Sequence, residues 1–173
     1  MDLARHCDLC DNQKTSLKFG TTCGLTERKP EFNKTCSQIA LNEKFENKLK
    51  TLNIGYDKIK RTKTLTYIYF VVFIIIGLAV IIGGYLLGKY ALDSGVISTV
   101  PLIIMAVGIA PLGMAFGTLN NFRQKHEIAK SKKDKVDEVL NEYRITYDFD
   151  IKYGKEFHGT QEVITELNVK GIR

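Results

Sequence analysis

Residues 65–88 and 96–119 are two apolar runs without a single Asp, Glu, Lys or Arg, and only the short polar segment 89–95 separates them. As an α-helix rising about 1.5 Å per residue, each run reaches ~36 Å, enough for a hydrocarbon core about 30 Å thick. Lipid offers the backbone no hydrogen-bond partner, so a helical hairpin is the arrangement that satisfies every peptide group there. The alternative is a buried hairpin in a soluble protein. A chain of 173 residues has little left to cover two such helices on all sides. The expected fold is therefore a mainly α membrane protein. A two-helix transmembrane hairpin forms its centre and antiparallel cytoplasmic helices extend it.

The formal charge of +6 invites a nucleic-acid reading, but its distribution points elsewhere. Lys58, Lys60, Arg61 and Lys63 precede the first run, and Arg123, Lys125, Lys130, Lys132 and Lys133 follow the second. The connecting segment has only Lys89, offset by Asp93. This is the positive-inside pattern of a hairpin with both termini in the cytoplasm. The basic excess then faces anionic headgroups of the inner leaflet. The expected location is the inner (cytoplasmic) membrane, multi-pass, with the lipid bilayer as partner and no nucleic acid. The start, MDLARHCDLC, is polar and lacks the apolar stretch of a signal peptide, so no cleavable leader is expected.

The polar remainder divides by pattern. Residues 1–36 are rich in turn formers and hold no period long enough for a core. Residues 37–64 read as a cytoplasmic helix with Ser37 as its N-cap. Phe45, Leu49, Leu52, Tyr56 and Ile59 then recur at heptad spacing. Runs 65–88 and 96–119 are the two spans, with 89–95 the outer loop. Residues 120–144 form a second cytoplasmic helix, with Phe122, Ala129, Val136 and Tyr143 seven apart and Val139 and Leu140 on the same face. It is expected to pair with the first. From 145 to 173 the period becomes that of a strand. Ile145, Tyr147, Phe149, Ile151 and Tyr153 alternate with polar residues, and Thr165, Leu167 and Val169 mark a second strand after a turn at 154–160. This C-terminal β-hairpin is marginal alone and must lie on another part of the chain or on a second protomer.

All four cysteines, Cys7, Cys10, Cys23 and Cys36, lie in the first segment. In a reducing cytoplasm such a set favours a metal over disulfides. Cys7-Asp-Leu-Cys10 has the C-x2-C spacing that lets two thiolates converge on one tetrahedral ion. Cys23-Gly24 resembles the start of a second knuckle, because glycine permits the close turn. Residues 6–36 thus resemble zinc-ribbon and zinc-knuckle modules. They depart from the ribbon pattern in that Cys36, not a second C-x2-C, completes the set. The resemblance implies zinc held by Cys7, Cys10, Cys23 and Cys36. His6 in place of one thiol, redox-active thiols, an iron or iron–sulfur site and structural disulfides under inverted topology are the competing readings. A closed four-thiolate zinc site has no open position for water, so it folds the module and performs no hydrolysis.

Elsewhere the chemistry is sparse. His126 and His158 read as solvated, and Asp134, Asp137, Glu138 and Glu142 as an exposed helix face. There is no P-loop, G-x-S-x-G, H-E-x-x-H or dinucleotide fingerprint. The spans have no ionisable residue at depth, as a transporter or proton relay would need. Gly84–Gly88 and Gly113–Gly117 are both G-x-x-x-G and fall at different depths of the hairpin. At least one face is therefore free for a second protomer. Pro111 is expected to kink the second span. The layout resembles that of small, uncharacterised bacterial two-span membrane proteins, a resemblance that brings architecture and no activity. The expected role is a non-enzymatic, homo-oligomeric scaffold or adaptor, dimeric in preference, presenting a zinc-stapled module to a cytoplasmic protein partner. The alternative is an oligomeric membrane-perturbing effector or pore controlled by its cytoplasmic part.

Overall fold

A computed structural model describes residues 3–91, 99–157 and 160–171. The elements run α1 (Ala4–Cys7), β1 (Gln13–Ser16), β2 (Gly20–Cys23), α2 (Glu43–Leu86), a π-helical turn (Leu87–Ala91), α3 (Thr99–Glu142), β3 (Thr146–Phe157) and β4 (Thr160–Lys170). The protein is mostly helical, with two long apolar helices and a C-terminal two-stranded sheet. The chain divides into two compact units: Met1–Asp57 with Ala129–Arg173, and Lys58–Ile128.

The first unit is built on a core of Leu9, Leu41, Phe45, Leu49, Val136, Val139, Leu140 and Ile145. The predicted heptad positions Phe45 and Leu49 thus meet Val136, Val139 and Leu140 within one chain, as expected. Each such side chain contributes about 1.5–3 kcal/mol on burial. Leu9, from between the first two cysteines, is 1% exposed, so the knuckle is fastened to the helices by its own middle residue. Asn53 is also buried. Its side-chain N–H groups reach the Leu49 carbonyl at 2.9 Å and the Tyr147 hydroxyl at 3.5 Å. The bond within its own helix satisfies the buried amide, and the longer one ties that helix to β3.

Helix α2 begins at Glu43 rather than after Ser37. Residues 37–42 stay outside the helix, with the backbone of Ala40 engaged on the first knuckle. The Ala40 N–H donates to Cys10 Sγ (3.3 Å) and the Ala40 carbonyl accepts from the Asp11 N–H (2.9 Å). The first helical bond runs instead from the Glu46 N–H to the Asn42 carbonyl (3.1 Å).

At its other end α3 stops in a Schellman motif. The Ile145 N–H donates to the Leu140 carbonyl (3.0 Å) and the Arg144 N–H to the Asn141 carbonyl (3.1 Å), with Arg144 left-handed at φ 58°. The buried Ile145 and Leu140 supply the apolar contact that accompanies this ending. Strands β3 and β4 pair antiparallel from Thr146↔Lys170 to Phe157↔Thr160. Tyr147, Leu167 and Val169 pack on the core, as the alternation predicts. The segment expected as a turn from 154 is instead strand to Phe157, with a bulge between Tyr153 and Glu156. A Cβ on Gly154 would stand 3.2 Å from that of Glu162. The residues left for the turn, 158–159 with His158 among them, lie outside the described residues.

The second unit holds the apolar hairpin. The apolar windows of α2 and α3 are long enough to cross a membrane, and only 11% and 17% of them are buried. The helices meet where they are thinnest. A Cβ added to Gly77 would stand 2.7 Å from Leu112 Cδ2 and 3.0 Å from the Gly108 carbonyl. One added to Gly108 would stand 2.7 Å from Ile81 Cγ1 and 3.0 Å from the Gly77 carbonyl. Gly84 packs against Met105 and Ile104, and Gly88 is buried. Gly113 and Gly117 have open space where a Cβ would go. Of the two G-x-x-x-G faces, the first is thus used within the hairpin and the second is not. Below this seam the Phe70 and Phe116 rings meet edge to face at 5.5 Å, and Tyr67 meets Phe122 at 6.4 Å. Pro111 lies inside α3. Of the expected outer loop, Lys89–Ala91 belong to the π-helical turn, and its remainder, with Asp93, lies outside the described residues.

Candidate metal centre

The four cysteines reach one place by three separate routes. Helix α1 ends at Cys7, and the tight turn after it closes with the Leu9 N–H on the His6 carbonyl (3.2 Å) and the Cys10 N–H on the Cys7 carbonyl (3.0 Å). That turn sends Leu9 inward and holds Cys7 and Cys10 beside each other. The β1–β2 hairpin brings the third. Its register sets Gln13 opposite Cys23, and the Gln13 N–H donates to the Cys10 carbonyl (3.2 Å). The crossing is closest at Gly24, whose N–H donates to the Asn12 carbonyl at 2.6 Å. A Cβ there would stand 2.9 Å from the same oxygen, so glycine is required. The fourth, Cys36, is fixed from outside the module: its N–H donates to the Tyr143 hydroxyl of α3 at 2.8 Å.

All four are free thiols, and all four line one cavity of about 20 Å³ together with His6, Asn12, Gln13, Gln38 and Ile39. This space suits a single ion or water. Among the described residues, no three His, Cys, Asp or Glu side chains close into a metal-holding group. The sulfurs border the cavity without converging on a common centre.

Their electrostatics differ sharply. Burial pushes the Cys7 thiol up to about 11, and the neighbouring Cys10, Cys23 and Cys36 add to the shift. Such mutual coupling requires the sulfurs to be close. Cys23 is held below its ordinary value because the Leu25 and Thr26 N–H groups bond to its sulfur. Glu27, in a left-handed conformation at φ 55°, closes that loop with its N–H on the Cys23 carbonyl (2.8 Å). Backbone N–H groups therefore point at two of the four sulfurs, Cys23 and Cys10, and stabilise negative charge there.

His6 is buried at the cavity wall, with its ring nitrogens turned to α3. Nδ1 lies 3.2 Å from the Tyr143 hydroxyl, and Nε2 lies 3.6 Å from Glu142 Oε2. The Tyr143 hydroxyl thus stands between the Cys36 N–H, from which it accepts, and His6 Nδ1. Burial and then the nearby thiols keep the Tyr143 hydroxyl above its ordinary value, against the bond from Cys36. Phe32 covers the other side of the ring at 5.1 Å.

Helix α2 clamps the first knuckle from below. Lys44 Nζ donates to the Cys10 carbonyl (3.0 Å) and Lys48 Nζ to the Asp8 carbonyl (3.2 Å). Sequence reasoning missed these lysines, and it read Tyr143 as a heptad position without its hydroxyl. Nor do the acidic residues of α3 form one exposed face. Asp137 turns inward to Lys133 (2.6 Å) and to the Tyr147 hydroxyl (2.7 Å). Glu142 presents Oε2 toward His6 in a buried position without a hydrogen bond. The half-buried His126 ring stacks at a tilt on Phe122 (5.9 Å).

Comparison with protein-family models, with curated proteins and with solved structures found no match for this chain.

Proposed function

We propose that this protein is a non-enzymatic integral membrane scaffold or adaptor. Its apolar hairpin sits in the inner membrane with both termini in the cytoplasm. There it presents a module stapled by zinc on Cys7, Cys10, Cys23 and Cys36 to a protein partner. The observation that carries the reading is the pairing of two features in one chain. The apolar windows of α2 and α3 are almost bare, a state that water penalises and lipid does not. The four thiols border one ion-sized cavity, and two of them receive backbone N–H groups suited to thiolates. Zinc on four thiolates supplies folding free energy and no open coordination position. His6 serves this site by positioning, with Nδ1 engaged by the Tyr143 hydroxyl that also holds Cys36. The open Gly113 and Gly117 positions are the surface on which two copies associate.

The test is the full chain expressed in bacteria. Asp93→Cys and Lys155→Cys, each labelled from outside intact cells with an impermeant thiol reagent, report topology. Native mass in nanodiscs reports assembly. Labelling at 93 alone, extraction only by detergent, and a dimer are expected. Labelling at 155 overturns the orientation, and release of the chain by alkaline carbonate overturns the membrane reading. A conducting ring of many copies replaces the scaffold with a pore.

A further inference from the structure

The cysteine cluster is closed on one side and open on the other. Cys7 and Cys10 are buried, whereas Cys23 and Cys36 are half-buried. Beside the ion-sized cavity lies a larger groove of about 560 Å³, bordered by Cys7, Cys23 and Cys36 but not by Cys10. Arg28, Lys29 and Glu31 stand on its walls, all three exposed. Two cations against one carboxylate leave the groove net positive. An ion needs only the small cavity, so the staple leaves the groove without a use. The two half-buried thiols also have room to approach each other. Cys23 ends β2, and residues 30–36 carry neither helix nor strand. A disulfide needs Cα atoms about 5.5–6 Å apart, and closing one here draws on that irregular segment rather than on the core.

We infer that this groove is a reaction site for small anionic disulfides, with Cys23 as the thiol that attacks and Cys36 as the thiol that resolves. Cys23 Sγ, as thiolate, attacks one sulfur of the disulfide; that S–S bond breaks and one small thiolate leaves. Cys36 Sγ then attacks Cys23 Sγ in the mixed disulfide, and the second small thiolate leaves. The two cysteines give up two electrons and two protons, and the small disulfide takes up both and becomes two thiols. Reactive cysteines sit in partly exposed, electropositive surroundings. Cys23 has them in Arg28, Lys29 and the Leu25 and Thr26 N–H groups at its sulfur. Room and charge select the co-reactant. The groove is of the size that holds a small organic molecule, and its net charge favours one that carries carboxylates. The inference rests on the zinc reading only in its consequence. Two of the four proposed ligands are consumed, so zinc leaves as the disulfide closes.

The full chain, purified in detergent under reducing conditions and then freed of reductant, is mixed with glutathione disulfide, an anion, or with hydroxyethyl disulfide, which is uncharged. A colorimetric chelator follows zinc release, and peptide mass mapping locates mixed and internal disulfides. Glutathione should appear first on Cys23, and a Cys23–Cys36 disulfide should follow with loss of zinc. Cations lining a cleft raise on-rates about tenfold or more, so an Arg28→Gln/Lys29→Gln double variant should slow glutathione addition about tenfold and leave the rate with hydroxyethyl disulfide unchanged. Glu31→Gln should speed the anionic reagent alone. First addition at Cys7, Cys10 or Cys36, a final pairing other than Cys23–Cys36, or a double variant that slows both reagents alike overturns the inference. So does zinc that stays bound with no added mass, an outcome that leaves the zinc reading standing. The expected order of modification in a chain that held no zinc at the start supports the inference and removes the zinc reading.

Discussion

Gly77 and Gly108 should be the least replaceable residues of the apolar hairpin, and Gly113 among the most replaceable. A methyl on Gly77 would lie 2.7 and 2.8 Å from Leu112 side-chain carbons and 3.0 Å from the Gly108 carbonyl; one on Gly108 would lie 3.0 Å from the Gly77 carbonyl and 3.2 Å from the Ile81 nitrogen. The leucine can rotate away, but three of these neighbours are backbone, so the helices must separate. Overpacking of this kind costs about 1–3 kcal/mol. Replacing glycine by alanine in a helix returns up to about 1 kcal/mol. The net loss at either position is therefore about 0–3 kcal/mol, and about 0–6 kcal/mol for the pair if the losses nearly add. Gly113→Ala meets nothing within 4 Å and should gain up to about 1 kcal/mol. Phe116→Trp, seated against Phe70, gives a single reporter of helix separation. The assay is an SDS titration of its emission in mixed micelles for each glycine variant. The reasoning fails if Gly113→Ala unfolds the hairpin as readily as Gly77→Ala, or if the Gly77→Ala/Gly108→Ala double variant gains stability as Gly113→Ala does.

Three further outcomes follow from the first unit. Tyr143→Phe leaves the Cys36 N–H and His6 Nδ1 without their shared partner, so thermal or denaturant unfolding should show a loss of about 1–3 kcal/mol with helix content unchanged. In the folded chain, Cys23 should react faster with a thiol reagent than Cys7, the slowest of the four. The rise of Cys7 from 9.0 to about 11 lowers its thiolate fraction about a hundredfold, and peptide mapping of partially alkylated protein gives the order. Burial lowers the Lys133 pKa, yet its bonds to Asp137 and Tyr147 raise it overall, while burial raises Tyr147. Both groups are held protonated in the fold. Their contribution is therefore complete below the ordinary values of 10.0 for Tyr147 and 10.5 for Lys133, and it fades as pH climbs through the higher folded values. Lys133→Met should flatten that alkaline loss in a pH-dependent melt, and an unchanged alkaline limb would contradict the assignment.

Much of the architecture was legible because it rests on period and charge. The two helices follow from uninterrupted apolar runs, the strands from strict alternation after Ile145, and the core pairing from the heptads at Phe45 and Val136. What escaped depends on particular partners distant in sequence. Ser37 has the chemistry of an N-cap, but Cys10 and Asp11 hold Ala40 outside the helix and move the helix start to Glu43. G-x-x-x-G spacing picked out Gly84–Gly88, where Gly84 packs in the hairpin, and Gly113–Gly117, which stays open, whereas the tightest crossing is at Gly77 and Gly108, which no local motif marks. In the candidate site, the cysteine set and the need for Gly24 were readable from spacing. The shell was not: Lys44, Lys48 and Tyr143 act through carbonyls, an N–H and a histidine that one-dimensional pattern does not bring together. Asp137 looked like a surface residue for the same reason.

The measurement that bears most directly on the zinc-stapled module is the metal content of the full chain, extracted under reducing conditions without chelator. Elemental analysis should give one zinc per chain. Binding free energy of about 10–16 kcal/mol for such a site means that each of Cys7→Ser, Cys10→Ser, Cys23→Ser and Cys36→Ser should lose the metal and expose residues 1–36 to protease. Their apolar hairpins should stay extractable only by detergent. A wild-type chain that carries no zinc, keeps four reactive thiols and resists protease as well as before would contradict the account at its centre.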